Sequence, residues 1–446
     1  MAVRVGQALV STLLSATLLT AVAVAEADAS PGRLPENTTI ATAPGAYVPL
    51  TSPVRVLDTR AGIGARGPLA GGSVIQVGLA GAGVPANASA VIVNVTATEP
   101  TAPGYVTVYP WAPGAVAPTA SNLNFLPGDS IPNLVAVQLG SSSSIAMTVA
   151  LAGTTHLVAD VAGYYVGGSA TANGAFVPVK PARLLDTRQS VAVGGNSSIV
   201  LQVAGLGGVP ATGAGSVFVN ATVTQPGAPG YLTLYPYGAS APTVSNVNFV
   251  AGETVPNLAS VKLGSGGQIV VSNGSPQPAH VVVDVFGYVL SNSKPSVYGS
   301  FVPLTPSRQY DTRDTPAGPD PMRAGERMPL YTPAGVIGMV SNVTVTEPRA
   351  PGFVVAYPGI ADPASPSSTT CGTPPSASNV NFVAGETVPN LVAVATGGPG
   401  NVACFANGSA AEAHFVLDLA GVYVDPAVFG KSELSSTSAF RMLRRH

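Results

Sequence analysis

The sequence is poor in charge: Lys, Arg, Asp and Glu make up 9% of its 446 residues and leave a net charge of −2. A basic nucleic-acid surface and an acidic tail are both excluded, because non-specific electrostatic binding needs a patch of one sign. Aromatic residues are 6%, with one Trp, two cysteines and four histidines. No zinc signature can be assembled from two cysteines 33 residues apart with one histidine nearby. No segment keeps a capped apolar period of 3.6, and Gly and Pro, at 51 and 42 residues, take about a fifth of the chain, against a usual share of roughly 12%. That excludes a long helical bundle or coiled coil. What is present is 46% hydrophobic, mostly Ala and Val. Such a content supplies a buried core and argues against disorder.

Arg4 precedes an uncharged run from Val5 to Ala25, with two small-x-small exits, Ala23-Val24-Ala25 and Ala27-Asp28-Ala29. This is the pattern of a signal peptide over residues 1–29, with the mature chain opening at Glu26 or Ser30. An uncleaved anchor is the alternative; the Ala, Ser and Thr content of the run and the cleavage signature favour export. No later segment is apolar enough to span a bilayer as a helix, so the mature chain is expected to have no membrane span. The tail, 425–446, ends in Arg441, Arg444, Arg445 and His446 without a hydrophobic stretch or lipid-anchor signal. A secreted protein, free or held at the cell surface, is expected. In an oxidising compartment Cys371 and Cys404 most simply form one disulfide.

Self-similarity is the dominant feature. After a linker at 30–45, the segments 46–166, 176–289 and 301–424 repeat one pattern. Each opens with an aromatic, Val-Pro and Arg-x-x-Asp-Thr-Arg, with Arg55, Asp58 and Arg60 in the first copy, Arg183, Asp186 and Arg188 in the second, and Arg308, Asp311 and Arg313 in the third. Then follow Asn-x-Thr-x-Thr at Asn94, Asn220 and Asn342, Pro-Gly-aromatic, Tyr-Pro, Ser-Asn-x-Asn-Phe and Pro-Asn-Leu. Every copy closes on His-x-x-x-Asp and a glycine: His156 and Asp160, His280 and Asp284, His414 and Asp418. A unit of about 120 residues is too long for a propeller blade or a solenoid turn. Three beads are expected, touching or held at restricted angles through the short joints Gly167–Ala175 and Leu290–Ser300. Alternation such as Val91, Val93, Val95 against Asn94, Thr96, Thr98 marks half-buried strands. The fold class is all-β: three tandem antiparallel β-sandwich or small-barrel domains of about eight strands each.

Histidine and aspartate four apart on a strand lie about 13 Å from one another, which excludes a catalytic dyad through that spacing. The histidines read as structural. Arg-x-x-Asp-Thr-Arg reads as a hydrogen-bonded ion pair locking the first strand, with the closing Asp160, Asp284 or Asp418 as partner. A carboxylate or sugar-acid site is the alternative, since a bidentate Arg serves ligands equally well. Tyr105, Tyr109 and Trp111, with Tyr231, Tyr235 and Tyr237 and with Phe353 and Tyr357, lie beside the Asn/Thr stripe. Stacking rings next to Asn94, Asn220 and Asn342 are what a sugar-binding face needs; a core rim beside ordinary solvated strand surface is the alternative. Those asparagines also satisfy the glycosylation sequon. No nucleophile elbow, P-loop, HExxH or EF-hand is present, and Gly62-Ile-Gly64-Ala-Arg66-Gly67 is a loop without counterparts in the other copies. No catalytic residue, cofactor or metal is assigned. The third copy has a longer loop before Ser378, containing Cys371. Counted forward from Pro-Asn-Leu, Cys404 takes the position of Met147 and Val271, so the disulfide should staple that loop to a strand.

The motifs Arg183-Leu-Leu-Asp-Thr-Arg188, Asn-x-Thr with Gly-Tyr-x-Thr-x-Tyr-Pro, and Asp284-Val-Phe-Gly-Tyr288 resemble a repeat domain of secreted and surface proteins of actinobacteria and some other soil bacteria. Gln309, Tyr310 and Val422 depart from the pattern in the third copy. The resemblance covers residues 46–424 and implies extracellular residence, often beside enzymes or adhesins as an accessory module. The expected function is multivalent binding or adhesion to extracellular polysaccharide or an envelope component, or to other surface proteins, with three weak sites adding avidity. A structural spacer or matrix protein and an unrecognised extracellular hydrolase are the rivals.

Overall fold

The computed structural model describes residues 44–167, 174–291, 299–362, 365–398, 401–425 and 441–442. The segment expected to be a signal peptide, most of the first linker and all of the tail except 425 and 441–442 lie outside the described residues. The first repeat runs through β1 (Gly45–Asp58), β2 (Leu69–Ala70), β3 (Val74–Gly78), β4 (Ala88–Thr98), β5 (Gly104–Pro110), β6 (Leu123–Phe125), β7 (Ser130–Gln138), β8 (Ser144–Leu151) and β9 (Thr154–Gly167). The second contains β10 (Phe176–Asp186), β11 (Ser197–Gln202), β12 (Ala214–Thr224), β13 (Gly230–Pro236), β14 (Val247–Phe249), β15 (Thr254–Lys262), β16 (Gln268–Asn273) and β17 (His280–Leu290). In the third, β18 (Ser300–Asp311), β19 (Arg327–Tyr331), β20 (Val336–Thr346) and β21 (Gly352–Pro358) precede the added hairpin β22 (Ile360–Asp362) and β23 (Ser365–Thr370). Then come β24 (Val380–Phe382), β25 (Val388–Ala395), β26 (Val402–Asn407) and β27 (His414–Val424), with β28 (Arg441–Met442) on the edge of β19.

Each repeat is a sandwich of two four-stranded antiparallel sheets. In the second the orders are β10-β17-β12-β15 and β11-β16-β13-β14. The first repeats this as β1-β9-β4-β7 over β3-β8-β5-β6, and the third as β18-β27-β20-β25 over β24-β21-β26-β19. This interleaving of first with last strand, and of second with seventh, is jelly-roll order. Alternating Val, Ile and Leu fill each interior, as Val91, Val93 and Val95 do with Val106, Val108 and Met147. Pro49, Pro178 and Pro303 end the first stretch of pairing in their strands, and the ladder resumes after a register shift. A residue without an N–H cannot continue a central ladder.

The three sandwiches touch, as the short joints lead one to expect, and they go further than touching beads by sharing a core. The described residues of the three repeats cluster as one unit, and a fourth apolar core is shared by all three. At its centre six buried rings form a closed cycle, Tyr47–Tyr165–Phe301–Tyr423–Phe176–Phe218 and back to Tyr47, with neighbouring centroids 4.2 to 5.5 Å apart. The opening aromatic of each repeat lies across the closing glycine of the same repeat. A Cβ on Gly163, Gly287 or Gly421 would come within 2.3 Å of Tyr47, Phe176 or Phe301, so only glycine fits. Backbone bonds join the strand starts in a circle: Tyr47 N to Gly174 O and Phe176 N to Gly299 O, both within 3.0 Å, and a Gly45–Phe301 bridge.

The strands carrying the Asn/Thr stripe are therefore buried on both faces, not half-buried. One face of β4 fills its own sandwich; Asn94, Thr96 and Thr98 on the other are buried too.

Candidate functional site

The asparagines proposed from sequence as sugar ligands are 4%, 1% and 2% exposed at Asn94, Asn220 and Asn342. They serve the junctions between repeats. Asn94 Nδ2 donates to Ser245 O at 3.0 Å, and its Oδ1 accepts from Asn257 Nδ2 at 2.8 Å; Asn257 Oδ1 in turn accepts from Leu134 N at 3.0 Å. The same relay joins Asn220 to Ser378 O and Asn390, with Asn390 accepting from Leu258 N. It also joins Asn342 to Ser121 O and Asn133, with Asn133 accepting from Leu391 N. Second amide protons of Asn133, Asn257 and Asn390 go to Asn122 O, Asn246 O and Asn379 O. Amides buried in the junctions and bonded there are out of a ligand's reach, and the same burial keeps them from a glycan in the folded chain. The assignment of these three residues to ligand binding is corrected.

The charged motif forms one network per repeat. Arg55 holds Asp160 with Nε and Nη2 at 2.8 and 3.1 Å and reaches Asp58 with Nη1 at 3.1 Å; Arg60 clasps Asp58 at 3.0 and 2.9 Å. Arg183, Asp186, Arg188 and Asp284 repeat it, as do Arg308, Asp311, Arg313 and Asp418. Two cations and two anions alternate, so the net charge is zero. The Arg60 side chain, helped by Arg55, holds the Asp58 carboxyl down to about 2 against burial. Arg188 does the same for Asp186, also to about 2. Burial pushes Asp311 up, but its bonds to Arg313 leave it below the ordinary value. The inner carboxyls Asp160 and Asp418 are raised by burial in spite of their arginines. Asp284 also accepts from Ser378 N of the next repeat at 3.0 Å. The histidines do not meet the aspartates four residues on. His156, His280 and His414 bond instead through Nδ1 to Thr59, Thr187 and Thr312 at 2.8 to 3.2 Å. Those hydroxyls accept from the backbone of the last strand and are buried, so they are not exposed nucleophiles.

The aromatic candidates separate into two groups. Tyr109 and Tyr357 are buried, their hydroxyls bonded to Thr148 Oγ1 and Gly372 O. Tyr235 and Trp111 are half-buried. Tyr105, Tyr231 and Tyr237 are 43%, 47% and 42% exposed, and Phe353 is half-buried. Tyr231 and Phe353 lie flat over Gly274 and Gly408, where a Cβ would come within 2.4 Å of the ring.

Equivalent segments of all three repeats converge on a cavity of about 520 Å³. Its walls are Ile131, Val255 and Val388 with Pro132, Pro256 and Pro389, and Tyr105 stands beside them. Asp129, Glu253 and Glu386, one per repeat, also line it. Each carboxylate accepts a backbone N–H three residues earlier, from Leu126, Val250 and Val383. Burial raises each of the three above its ordinary value, and the charges of Asp129 and Glu386 push Glu253 further, as Asp129 does Glu386. Among the described residues no three His, Cys, Asp or Glu side chains meet closely enough to hold a metal ion. A smaller groove of about 270 Å³ between the second and third repeats sets Phe353 and Asn381 opposite Thr222, Thr224, Arg183 and Arg188. The sequence reading missed the carboxylates, although an acidic residue follows a Gly in all three copies shortly after Asn-Phe. Scattered single acids gave no local pattern; only the ring brings them together.

The disulfide Cys371–Cys404 is formed, with Cα atoms 5.6 Å apart. Cys404 pairs with Tyr357 as Ala146 does with Tyr109 and Val270 with Tyr235. Its equivalents are thus Ala146 and Val270, not Met147 and Val271. The third repeat has one more residue between Leu391 and this strand than the others have after Leu134 and Leu258, and a shift of one reverses the face. Cys404 faces away from the interior of its own sandwich, toward the enlarged loop, and is fully buried there.

No family model and no curated relative matches the sequence. Solved structures that align with it include those described as "Life in the extremes: atomic structure of Sulfolobus Turreted Icosahedral Virus" and "The Triple Jelly Roll Fold and Turret Assembly in an Archaeal Virus". They cover 85% and 86% of this chain and 92% and 91% of theirs, at 8% and 7% identity and a TM-score of 0.16 in both. A likeness of that degree carries no argument.

Proposed function

We propose that this is an extracellular binding protein for polysaccharide or another envelope glycan, and that its principal site is the cavity where the three repeats meet. The carrying observation is the convergence of Asp129, Glu253 and Glu386 on that cavity. Three carboxylates raised by burial, Glu253 and Glu386 further by neighbouring negative charge, oppose folding where neutral residues would not, and such convergence of perturbed groups on a cavity with apolar walls is the usual mark of a site. Carboxylates accept hydrogen bonds from sugar hydroxyls, the Ile, Val and Pro walls take apolar ring faces, and exposed Tyr105 supplies a stacking surface. Tyr231 and Phe353, pinned flat over glycines, extend the same chemistry along the junctions. The intramolecular disulfide and the absence of a membrane-spanning helix among the described residues are compatible with export through the N-terminal signal.

Repetition then contributes a composite site rather than three independent weak ones. A spacer reading has less support, because repeats that close on one another add no length. A hydrolase reading has less support as well, because the recurring Thr and His are spent on one another and on the backbone.

The test is sedimentation of the mature chain with insoluble polysaccharides and purified bacterial envelopes, compared with the Asp129→Asn/Glu253→Gln/Glu386→Gln variant. The amides still accept the three backbone N–H groups. Retention of the wild type with at least tenfold weaker retention of the variant is expected; no retention of the wild type on any polymer overturns the reading.

A further inference from the structure

We infer that the repeat is itself a trimerising unit: its side chains specify a closed ring of three without help from the covalent linkers, so the partner this surface fits is another copy of the same repeat. The three junctions allow a direct comparison. The first and second repeats, and the second and third, are joined by chain; the third and first are not. Yet the unlinked junction has the same relay as the linked ones: Asn342 Nδ2 to Ser121 O at 2.6 Å, Asn133 Nδ2 to Asn342 Oδ1 at 2.7 Å, and Leu391 N to Asn133 Oδ1 at 2.9 Å. It adds a bond between the Tyr165 and Tyr423 hydroxyls at 2.7 Å. All three junctions run in the same head-to-tail sense. A heterologous contact either closes into a ring or propagates without limit; this one closes at three, and the six-ring aromatic cycle fills the point of closure.

The experiment uses the full chain with protease sites placed within 168–173 and 292–298, cleaved under native conditions. The three pieces are expected to stay together as one 1:1:1 species in native mass spectrometry and size exclusion at about 1 μM protein, a concentration that tests for a specific contact. Pieces that separate or aggregate at that concentration overturn the inference. Asn133→Ala, at the unlinked junction, is expected to weaken association of the cleaved pieces at least tenfold while the uncleaved chain stays folded. Should that variant not fold uncleaved, Tyr165→Phe, which removes only the hydroxyl contact across the same junction, is expected to weaken association by a smaller factor. Cleaved variants that associate as tightly as the wild type contradict the assignment of specificity to these side chains.

Discussion

Tyr47 is buried in the shared core, and its hydroxyl bonds to Ser260 Oγ of the second repeat at 2.7 Å. The positions equivalent to Ser260 are Ala136 and Ala393, and the opening aromatics of the other two repeats are Phe301 and Phe176, which need no partner. Tyr and Ser are thus matched across a junction. Ser260→Ala leaves the phenol buried with nothing to bond and should cost about 1–3 kcal/mol, whereas Tyr47→Phe/Ser260→Ala should be close to neutral; chemical denaturation of the two singles and the double tests this, and additive losses would contradict it. The outer aspartates give a pH prediction. Asp58 and Asp186 are held at about 2 in the folded chain against an ordinary 3.8. Folding lowers these values, so the stability they contribute is complete above the ordinary value and is lost as pH falls from there through about 2. Replacing Asp58, Asp186 and Asp311 by Asn should lower stability at neutral pH and flatten this acid limb in denaturation curves recorded at stepped pH. An unchanged limb would place the acid sensitivity elsewhere.

Neighbouring strands exchange bulk within the second repeat. Where the first and third repeats place Tyr165 and Tyr423 on the last strand and Ile92 and Val340 beside the closing glycine, the second has Val289 and Phe218. Phe218 of β12 therefore fills the place in the aromatic cycle that β17 leaves open. Phe218→Ile should underfill the centre and Val289→Tyr overfill it, each at about 1–3 kcal/mol, while the double change restores the arrangement of the other repeats. Thermal denaturation should show the double variant more stable than either single. Strands themselves were legible in the sequence: alternation of Val with Asn and Thr gave β4 and its equivalents, and the motif order gave three equal units. The use of the polar face was not legible, because buried junction asparagines and solvated ones produce the same period of two. Likewise the position of Cys404 was misread by one residue, since a single extra residue in a hairpin leaves the motif order intact and reverses the face. Sandwich against barrel could not be decided from strand count; it needed the division of each repeat into two separate sheets.

For the whole molecule, three touching domains were legible in the sequence, but their shared core was not, for a physical reason. Linker length limits how far repeats can separate, but it does not reveal whether their surfaces are complementary, and complementarity here resides in motifs that also look like ordinary surface. The same closure creates the carboxylate cavity. Because Asp129, Glu253 and Glu386 are raised in the folded chain, their ionisation opposes folding, and stability should rise as pH falls through their folded values. Neutralising all three should therefore leave stability at pH 7 equal or higher while binding is lost, the signature of groups kept for function at the expense of stability. A triple variant that binds as well as the wild type would remove the cavity from the account. The most direct test of closure is calorimetry of residues 30–446. One body with a shared aromatic centre predicts a single transition whose calorimetric and van't Hoff enthalpies agree, shifted as a whole by Phe218→Ile. Three transitions, with only that of the second repeat moved by the substitution, would contradict it.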